Sequence, residues 1–358
     1  MNMFSRELKP RTRHQVPELA ISYVAEAVTL TSDTPVVSIG LPVFNGERYL
    51  ENAIESLLSQ SFGDFELIIC DNASSDQTAQ ICASYIERDP RVRYIRNPRN
   101  LGAGPNFDLA FQHARGEFFQ WAAHDDMFAP TYLERAVGAL RANPDAALCT
   151  VGITEIGSDG VVIRSYTNPL DGAGSRDPVE RFASVIHTRH QCEEFFGLYR
   201  RSVLVGSGLV GAFSGSDRVL LAEIAIRGRW LRLPELLFLH REHAQRATRA
   251  ILLVDRKRAA LWQDATFARH RMRTLFHVML YREYWRLIAK NVPEASQRVR
   301  FYRQLMMWWL TDEHFTDVVR DILQDVSPRM LGWARATKHA LIRVDRVPPP
   351  GSLPTLKP

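Results

Sequence analysis

Two adjacent carboxylates, Asp125 and Asp126, end a run of apolar residues, and that position gives them chemical meaning. The run Gly116-Glu117-Phe118-Phe119-Gln120-Trp121-Ala122-Ala123 reads as a buried strand that stops at His124-Asp125-Asp126. Neighbouring carboxylates at the end of a central strand repel each other and resist desolvation. A divalent cation relieves both problems, and hard oxygen ligands suit Mg²⁺ or Mn²⁺. The competing reading is a solvated turn ahead of a helix near Pro130. Two further acids sit at comparable places: Asp71 closes a second apolar run, and Asp217 precedes a helix that its side chain could cap.

The elements that must position these groups alternate along the chain. Strands are expected over 36–42, 65–70, 92–96, 116–123 and 146–150. Helices are expected over 48–60, 77–88, 104–114 and 131–142. Such alternation indicates βαβ units and an α/β fold with a mostly parallel sheet. Ligands bind such sheets at the carboxyl ends of the strands, so the loops after Pro42, Cys70, Arg96 and Ala123 should surround one crevice. The first loop carries Asn45-Gly46 before a helix whose free N–H groups could dock an anion. In the second, Asp71 is placed to accept hydrogen bonds from a ligand, and Ser75 or Asp76 to cap the next helix. The third, with Arg96, Arg99, Asn100 and Gly102, could close over a nucleotide.

Further along, residues 151–180 read as a strand pair and loop, 219–227 as a helix and 230–238 as a strand broken by Pro234. Glu223 is expected to pack or to pair with an arginine. Beyond about 250 the pattern is helical, with an aromatic and basic stretch at 301–310 expected to pack against the catalytic part. A loose arm precedes the sheet, with a short helix around Glu18–Thr29, and a Pro-rich tail begins at Val347. The expected organisation is an arm over 1–34, a catalytic domain over 35–249, a helical region over 250–346 and the tail over 347–358.

Composition narrows the class. A hydrophobic fraction of 46% with 24% charged residues fits a soluble globular protein. The four cysteines, Cys70, Cys82, Cys149 and Cys192, form no CxxC pair, so neither zinc nor a disulfide framework is indicated, and a cytoplasmic setting is expected. Neither a signal peptide nor an apolar run of transmembrane length is evident. Residues 250–358 hold 19 Lys and Arg against 10 Asp and Glu, whereas the rest is slightly acidic. That basic part could meet an anionic membrane surface, placing the protein peripherally at the inner membrane face. It reads equally as a solvated helical surface, and nucleic acid is not expected as a partner. No GxGxxG follows a strand, which disfavours a dinucleotide-dependent dehydrogenase.

Taken in order, Val37-Ser38-Ile39-Gly40-Leu41-Pro42-Val43-Phe44-Asn45, Asp71-Asn72-Ala73-Ser74-Ser75-Asp76-Gln77-Thr78, Arg99-Asn100-Leu101-Gly102 and His124-Asp125-Asp126 resemble family 2 glycosyltransferases of the GT-A fold. The resemblance spans roughly residues 35–245. It implies a Rossmann-like sheet flanked by helices, with a C-terminal helical extension. It also implies inverting transfer from a nucleotide diphosphate sugar, with UDP as the expected nucleotide, to a glycan or lipid-linked glycan in polysaccharide assembly. Pro42, Phe44, Asn45, Glu47, Asp71, Asn100, Gly102, Asp125 and Arg241 are then expected around the donor. The family's acidic metal-binding element falls on the acid pair, but its first position is His124, so Mn²⁺ or Mg²⁺ is expected on Asp126. His243, with His240 second, is expected to complete the metal shell or touch the diphosphate. The family's catalytic base falls on Asp217, which lies before the helix-ending Gly228, with Ser216 where a glutamate is usual. The alternatives are a nucleotide-binding module without catalysis, or a sugar-nucleotide pyrophosphorylase, whose basic phosphate loop is missing from Leu41–Tyr49.

Overall fold

The computed structural model describes residues 34–244, 246 and 276–310. The expected helix over 18–29, the Pro-rich tail and the boundary expected at 249/250 lie outside the described residues. Strands β1 (Val37–Val43), β2 (Phe65–Asp71), β3 (Val92–Arg96) and β4 (Phe118–Trp121) alternate with helices α1 (Leu50–Leu58), α2 (Thr78–Arg88) and α3 (Ala103–Gln112). These strands lie parallel in the order β3-β2-β1-β4. Every residue of β1 is buried, as a near-continuous apolar run demands of a strand covered on both faces. The chain winds to one side of β1 through β2 and β3, then returns to its other side with β4. The loops after β1 and β4 therefore diverge, leaving a crevice at their carboxyl ends.

After β4 come β5 (Met127–Phe128), α4 (Tyr132–Ala142), β6 (Ala146–Ile156) and β7 (Val162–Tyr166). Then follow α5 (Pro178–His187), β8 (Leu198–Arg200), α6 (Arg201–Leu204), α7 (Ser216–Arg227) and β9 (Arg229–Arg241). Helices α8 (Phe276–Asn291) and α9 (Ala295–Leu310) complete the described chain. β8 runs antiparallel between β4 and β6, and β9 lies parallel to β6. The whole is a mostly parallel α/β sheet between two helical layers. One core joins the sheet to α1, α2 and α4, through residues such as Ile54, Cys82 and Leu133. The other joins it to α3, α5, α7, α8 and α9, through Ala110, Phe182, Leu221, Ile288 and Phe301.

Two strands run further than the sequence indicates. β6 continues from Thr150 to Ile156, and β9 passes through Pro234 without ending. Pro234 is tolerated because the ladder shifts there: Thr150 faces Arg232 and Gly152 already faces Leu236. The extra residues of β9 bulge over Gly152, where an added Cβ would stand 2.9 Å from Leu236 and 3.0 Å from the Pro234 carbonyl oxygen. α5 and β8 arise within the stretch whose sequence shows the least periodicity.

In α9, Phe301, Leu305 and Trp308 are buried at helical spacing, as packing requires. Phe301 meets Phe182 of α5 and Trp308 meets Tyr284 of α8, while Met306, Met307 and Leu310 are exposed. Among the described residues, no helix is long and apolar enough to cross a membrane.

Glu66 is the main charged group inside the sheet, with a side chain only 1% exposed. It accepts from Ser38 Oγ at 2.7 Å, Arg93 Nη1 at 2.7 Å and Arg115 Nη2 at 2.9 Å. Burial alone would raise its pKa, but the Ser38 hydroxyl and the two guanidinium groups outweigh it and hold the carboxyl low. A depressed carboxylate stabilises the fold above its unfolded pKa of about 4.3, and that contribution is lost as pH falls through the folded value. Glu66→Gln should therefore cost about 2–3 kcal/mol at neutral pH, since both arginines stay partly solvated. Urea denaturation from pH 7 downward should also show a shallower acid-side loss in the variant than in the parent.

Candidate active site

The loops after β1 and β2 are fastened to one another. Asn45 N–H donates to Ser74 Oγ, Gly46 N–H to Thr78 Oγ1 and Glu47 N–H to Asp76 Oδ2, each within 3.0 Å. In return Asn45 Oδ1 accepts from Ser75 N–H and Glu47 Oε2 from Gln77 N–H. These loop amides are thus satisfied by side chains of the second loop. Asn45 and Glu47 shape the loop with the same polar groups that a donor would need. Asp76 does what the sequence suggested, accepting from Thr78 N–H at the start of α2. Phe44 behaves differently from its neighbours: its ring is 42% exposed, while Pro42 beside it is buried.

Asp71 is fully buried, and both of its oxygens are taken. Oδ1 accepts from Ser74 N–H at 2.8 Å and Oδ2 from Tyr94 O–H at 2.7 Å, with Arg96 Nε 3.5 Å away. Asp71 thus builds the loop that borders the crevice. Asn72, which the sequence did not single out, organises the third loop. Its amide donates to Asn100 Oδ1 and the Gly102 carbonyl, and accepts from Leu101 N–H and Asn97 Nδ2. Gly102 takes φ 92°, a left-handed value that suits glycine, where the loop turns into α3.

The acid pair divides its work differently from the sequence expectation. Asp126 is buried; Oδ1 accepts from Arg241 N–H at 2.8 Å and Oδ2 faces His240 Nδ1 at 3.2 Å. Burial lowers the His240 pKa, but the Asp126 charge and hydrogen bond outweigh it, for a net rise. Both Asp126 oxygens therefore hold β9. Arg241 is also committed, donating to the carbonyls of Asp125 at 3.0 Å and Gly157 at 3.2 Å, and its guanidinium lies 4.8 Å from the Tyr49 ring.

Asp125 is the less buried of the two carboxylates. Oδ2 meets His243 Nε2 at 2.9 Å. Burial would raise its pKa, yet the charge of His124 and the contact with His243 hold it well below the ordinary carboxylate range. His124 packs against Gly46, where a Cβ would stand 2.9 Å from the imidazole, so the first loop reaches the acid pair. The His243 ring lies 4.9 Å from the Tyr49 ring. His243 Nδ1 and the Tyr49 hydroxyl are both buried without a hydrogen-bond partner among the described residues. Unpaired buried polar atoms beside an ionised carboxylate mark a place built for something more than protein.

Asp217 lies in the first turn of α7, half-buried, with Oδ1 accepting from Arg218 N–H. Its charge bears on Cys192, whose thiol is pushed well up mainly by burial. Arg218 also donates to the His190 carbonyl, so the start of α7 is tied to residues 190–194. The far end is held as firmly: Arg181 donates to the carbonyls of Ala225 and Ile226, satisfying the helix C-terminus. Glu223 pairs with Arg227, as expected, and also accepts from Gly208 N–H and Asn291 Nδ2.

Residues 38–205 match the family model described as "Glycosyl transferase family 2". That segment is therefore similar to glycosyl transferase family 2. Among its curated relatives, an uncharacterized glycosyltransferase of Rickettsia typhi is 34% identical over 107 residues, covering 30% of this chain and 32% of the relative. Another, of Methanocaldococcus jannaschii, is 31% identical over 136 residues, covering 37% of this chain and 47% of the relative. The matched stretch thus spans about a third to a half of these relatives. Among solved structures, S. aureus TarS 1–349 superposes with TM-score 0.53 at 18% identity, covering 82% of this chain and 81% of that one. The same TarS piece in complex with UDP-GlcNAc gives TM-score 0.54 at 17% identity, covering 82% of both chains. These structures establish a shared fold.

Sequence reasoning missed Tyr49, Asn72 and the buried acids Glu193 and Glu194. Asn72 stood inside a quoted motif and could have been found as an amide between two loops. Tyr49 and the two glutamates carry no local signal, because their partners come from distant elements.

The geometry separates the two aspartates experimentally. Asp126→Ala leaves His240 and the Arg241 amide without their buried acceptor and should cost about 3–5 kcal/mol in urea denaturation. Asp125→Asn keeps an acceptor facing His243 and should cost only about 1 kcal/mol. A comparable loss in both variants would contradict this division of roles.

Proposed function

We propose that this transferase moves a sugar from a UDP-sugar to an acceptor hydroxyl with inversion at the anomeric carbon. The observation that carries the reading is the Asp125–His243 pair, set at the carboxyl end of the central strands beside two unpartnered polar atoms. Support for UDP comes from TarS, of the same fold, which was solved in complex with UDP and with UDP-GlcNAc. Phe44, exposed where β1 enters the crevice, gives the nucleobase an apolar face. Pro42, Asn45, Glu47, Asn100 and Gly102 give the donor edge its shape through the loop bonds described above.

A divalent cation, Mn²⁺ or Mg²⁺, fits the Asp125 carboxylate and the His243 imidazole. Among the described residues no group of three or more His, Cys, Asp or Glu could hold a metal by itself. Substrate phosphates and water would complete the shell of an ion held by these two groups. When bound, the ion supplies positive charge against the developing negative charge of the diphosphate. Tyr49 contributes a hydroxyl free to donate at the same place.

Asp217 acts as general base. Its carboxylate takes the proton from the acceptor hydroxyl as that oxygen bonds to the anomeric carbon. The bond from that carbon to the diphosphate oxygen breaks, and UDP leaves with the electron pair. One displacement inverts the configuration. The acceptor is a glycan or lipid-linked glycan of polysaccharide assembly, and the basic C-terminal part meets the inner membrane face from the cytoplasmic side.

Calorimetry should show UDP binding that depends on Mn²⁺ and is abolished by Asp125→Ala in folded protein. Asp217→Asn should retain UDP binding and lower the transfer kcat by about 10²–10⁴-fold. An Asp217→Asn variant that lost UDP binding to the same degree would place this residue at the donor instead.

A further inference from the structure

A cavity of about 220 Å³ opens beside the short 3-10 turn Glu193–Phe196. Its walls include Thr150, Asn168, Asp171, Glu194, Trp230 and Arg232. Topology places it at the catalytic end of the molecule. β8 is antiparallel to β4 with Leu198 opposite Gln120, so residues that precede β8 lie where β4 runs out toward Asp125. β6 passes Leu198 at Cys149 and carries Thr150 onward in the same direction. The turn is also tied to the start of α7: Arg218 bonds the His190 carbonyl, and His190 Nδ1 faces Glu194 Oε2 at 3.2 Å. The cavity therefore lies toward Asp217.

Its chemistry is unbalanced without an occupant. The Glu194 side chain is 1% exposed, and its second oxygen, Oε1, has no hydrogen-bond partner among the described residues. Trp230 Nε1 is buried in the same condition. Each unpaired buried group of this kind costs about 1–3 kcal/mol. Thr150 Oγ1 donates to the Leu231 carbonyl, which leaves its lone pairs turned to other donors. Arg232 donates to the Asn168 carbonyl at 2.6 Å and pairs with Asp171 at 2.5 Å, so its charge is largely spent.

We propose that this cavity is a subsite for a neutral, hydroxyl-rich ring, the sugar unit at the acceptor end of the substrate. A ring hydroxyl donates to Glu194 Oε1, and another hydroxyl oxygen accepts from Trp230 Nε1. The carboxylates of Glu194 and Asp171 turn away anions such as phosphate, and the polar wall discriminates against an apolar guest. Naming the ring as acceptor rests on the glycosyltransferase reading; the recognition of a polyol by the cavity does not.

Saturation-transfer NMR on the full chain tests it, with the methyl glycosides of glucose, galactose, mannose and N-acetylglucosamine as probes. At least one should bind wild type. Gly174→Val should remove that binding, because Gly174 lines the cavity and an added Cβ meets only the Trp230 carbonyl oxygen, at 3.5 Å. Glu194→Gln should weaken it roughly tenfold. Gly174→Ala, a smaller intrusion from the same wall, should weaken that binding if Gly174→Val does not fold. Calorimetric titration with UDP and Mn²⁺ on each variant should match wild type. Absence of binding by all four glycosides, or binding undiminished in the folded variants, means a water-filled cavity only and overturns the proposal. Glycoside binding that persists while wild type ignores UDP would instead sink the glycosyltransferase reading and leave the subsite standing.

Discussion

The clamp between Asp126 and β9 is the constraint on which the site depends. Asp126 leaves the end of β4 and, across 115 residues of chain, takes the Arg241 amide and faces the His240 ring. Those two bonds fix where β9 stops. Where β9 stops decides where His243 stands, and so whether Asp125 has a partner at all. A buried carboxylate with both oxygens satisfied costs a great deal to disturb, whereas one facing an imidazole at a surface crevice costs less. The acid pair thus splits by environment, Asp126 holding β9 and Asp125 facing His243, although the two residues are chemically identical and adjacent.

The same distinction sorts the rest of the crevice. Asp71, Asn72, Asn45, Glu47 and Arg241 all look like ligand groups by type, yet each spends its hydrogen bonds on neighbouring loops. Their effect is preorganisation: the loops are held in place before any donor arrives, so less ordering entropy is lost on binding. Phe44, Asp125, Tyr49 and His243 have capacity left over. Polar groups already satisfied by the fold make the frame, and those left wanting make the site.

This explains what could be read from the chain. The βα units are local, so their strands and helices were visible from periodicity to within a few residues, from β1 through β4 and in α4. Family order also drew attention to the acid pair and Asp217. The allocation of hydrogen bonds was not visible, because it depends on loops meeting across the crevice. Nothing in Asp125-Asp126 as a dipeptide says that the second oxygen pair points to β9. β8 and α5 escaped for a related reason. β8 is three residues long and is a strand only because β4 and β6 present open edges to it. Pro234 misled in the opposite direction, since the register shift that absorbs it belongs to β6 as much as to β9.

His124 bears on how the proposed cation site would behave. A second carboxylate at that position would add negative charge beside Asp125 and raise its pKa. The imidazole does the reverse, lowering it and keeping Asp125 ionised in a largely buried place. The cost is affinity: one carboxylate and imidazole nitrogens hold a hard cation less firmly than two carboxylates do. Such a site gains most of its charge complementarity from the diphosphate itself. Cation and donor would then bind together, and neither would fill the crevice well alone. That coupling suits a transferase, because the group that stabilises the departing diphosphate is in place only when there is a diphosphate to depart.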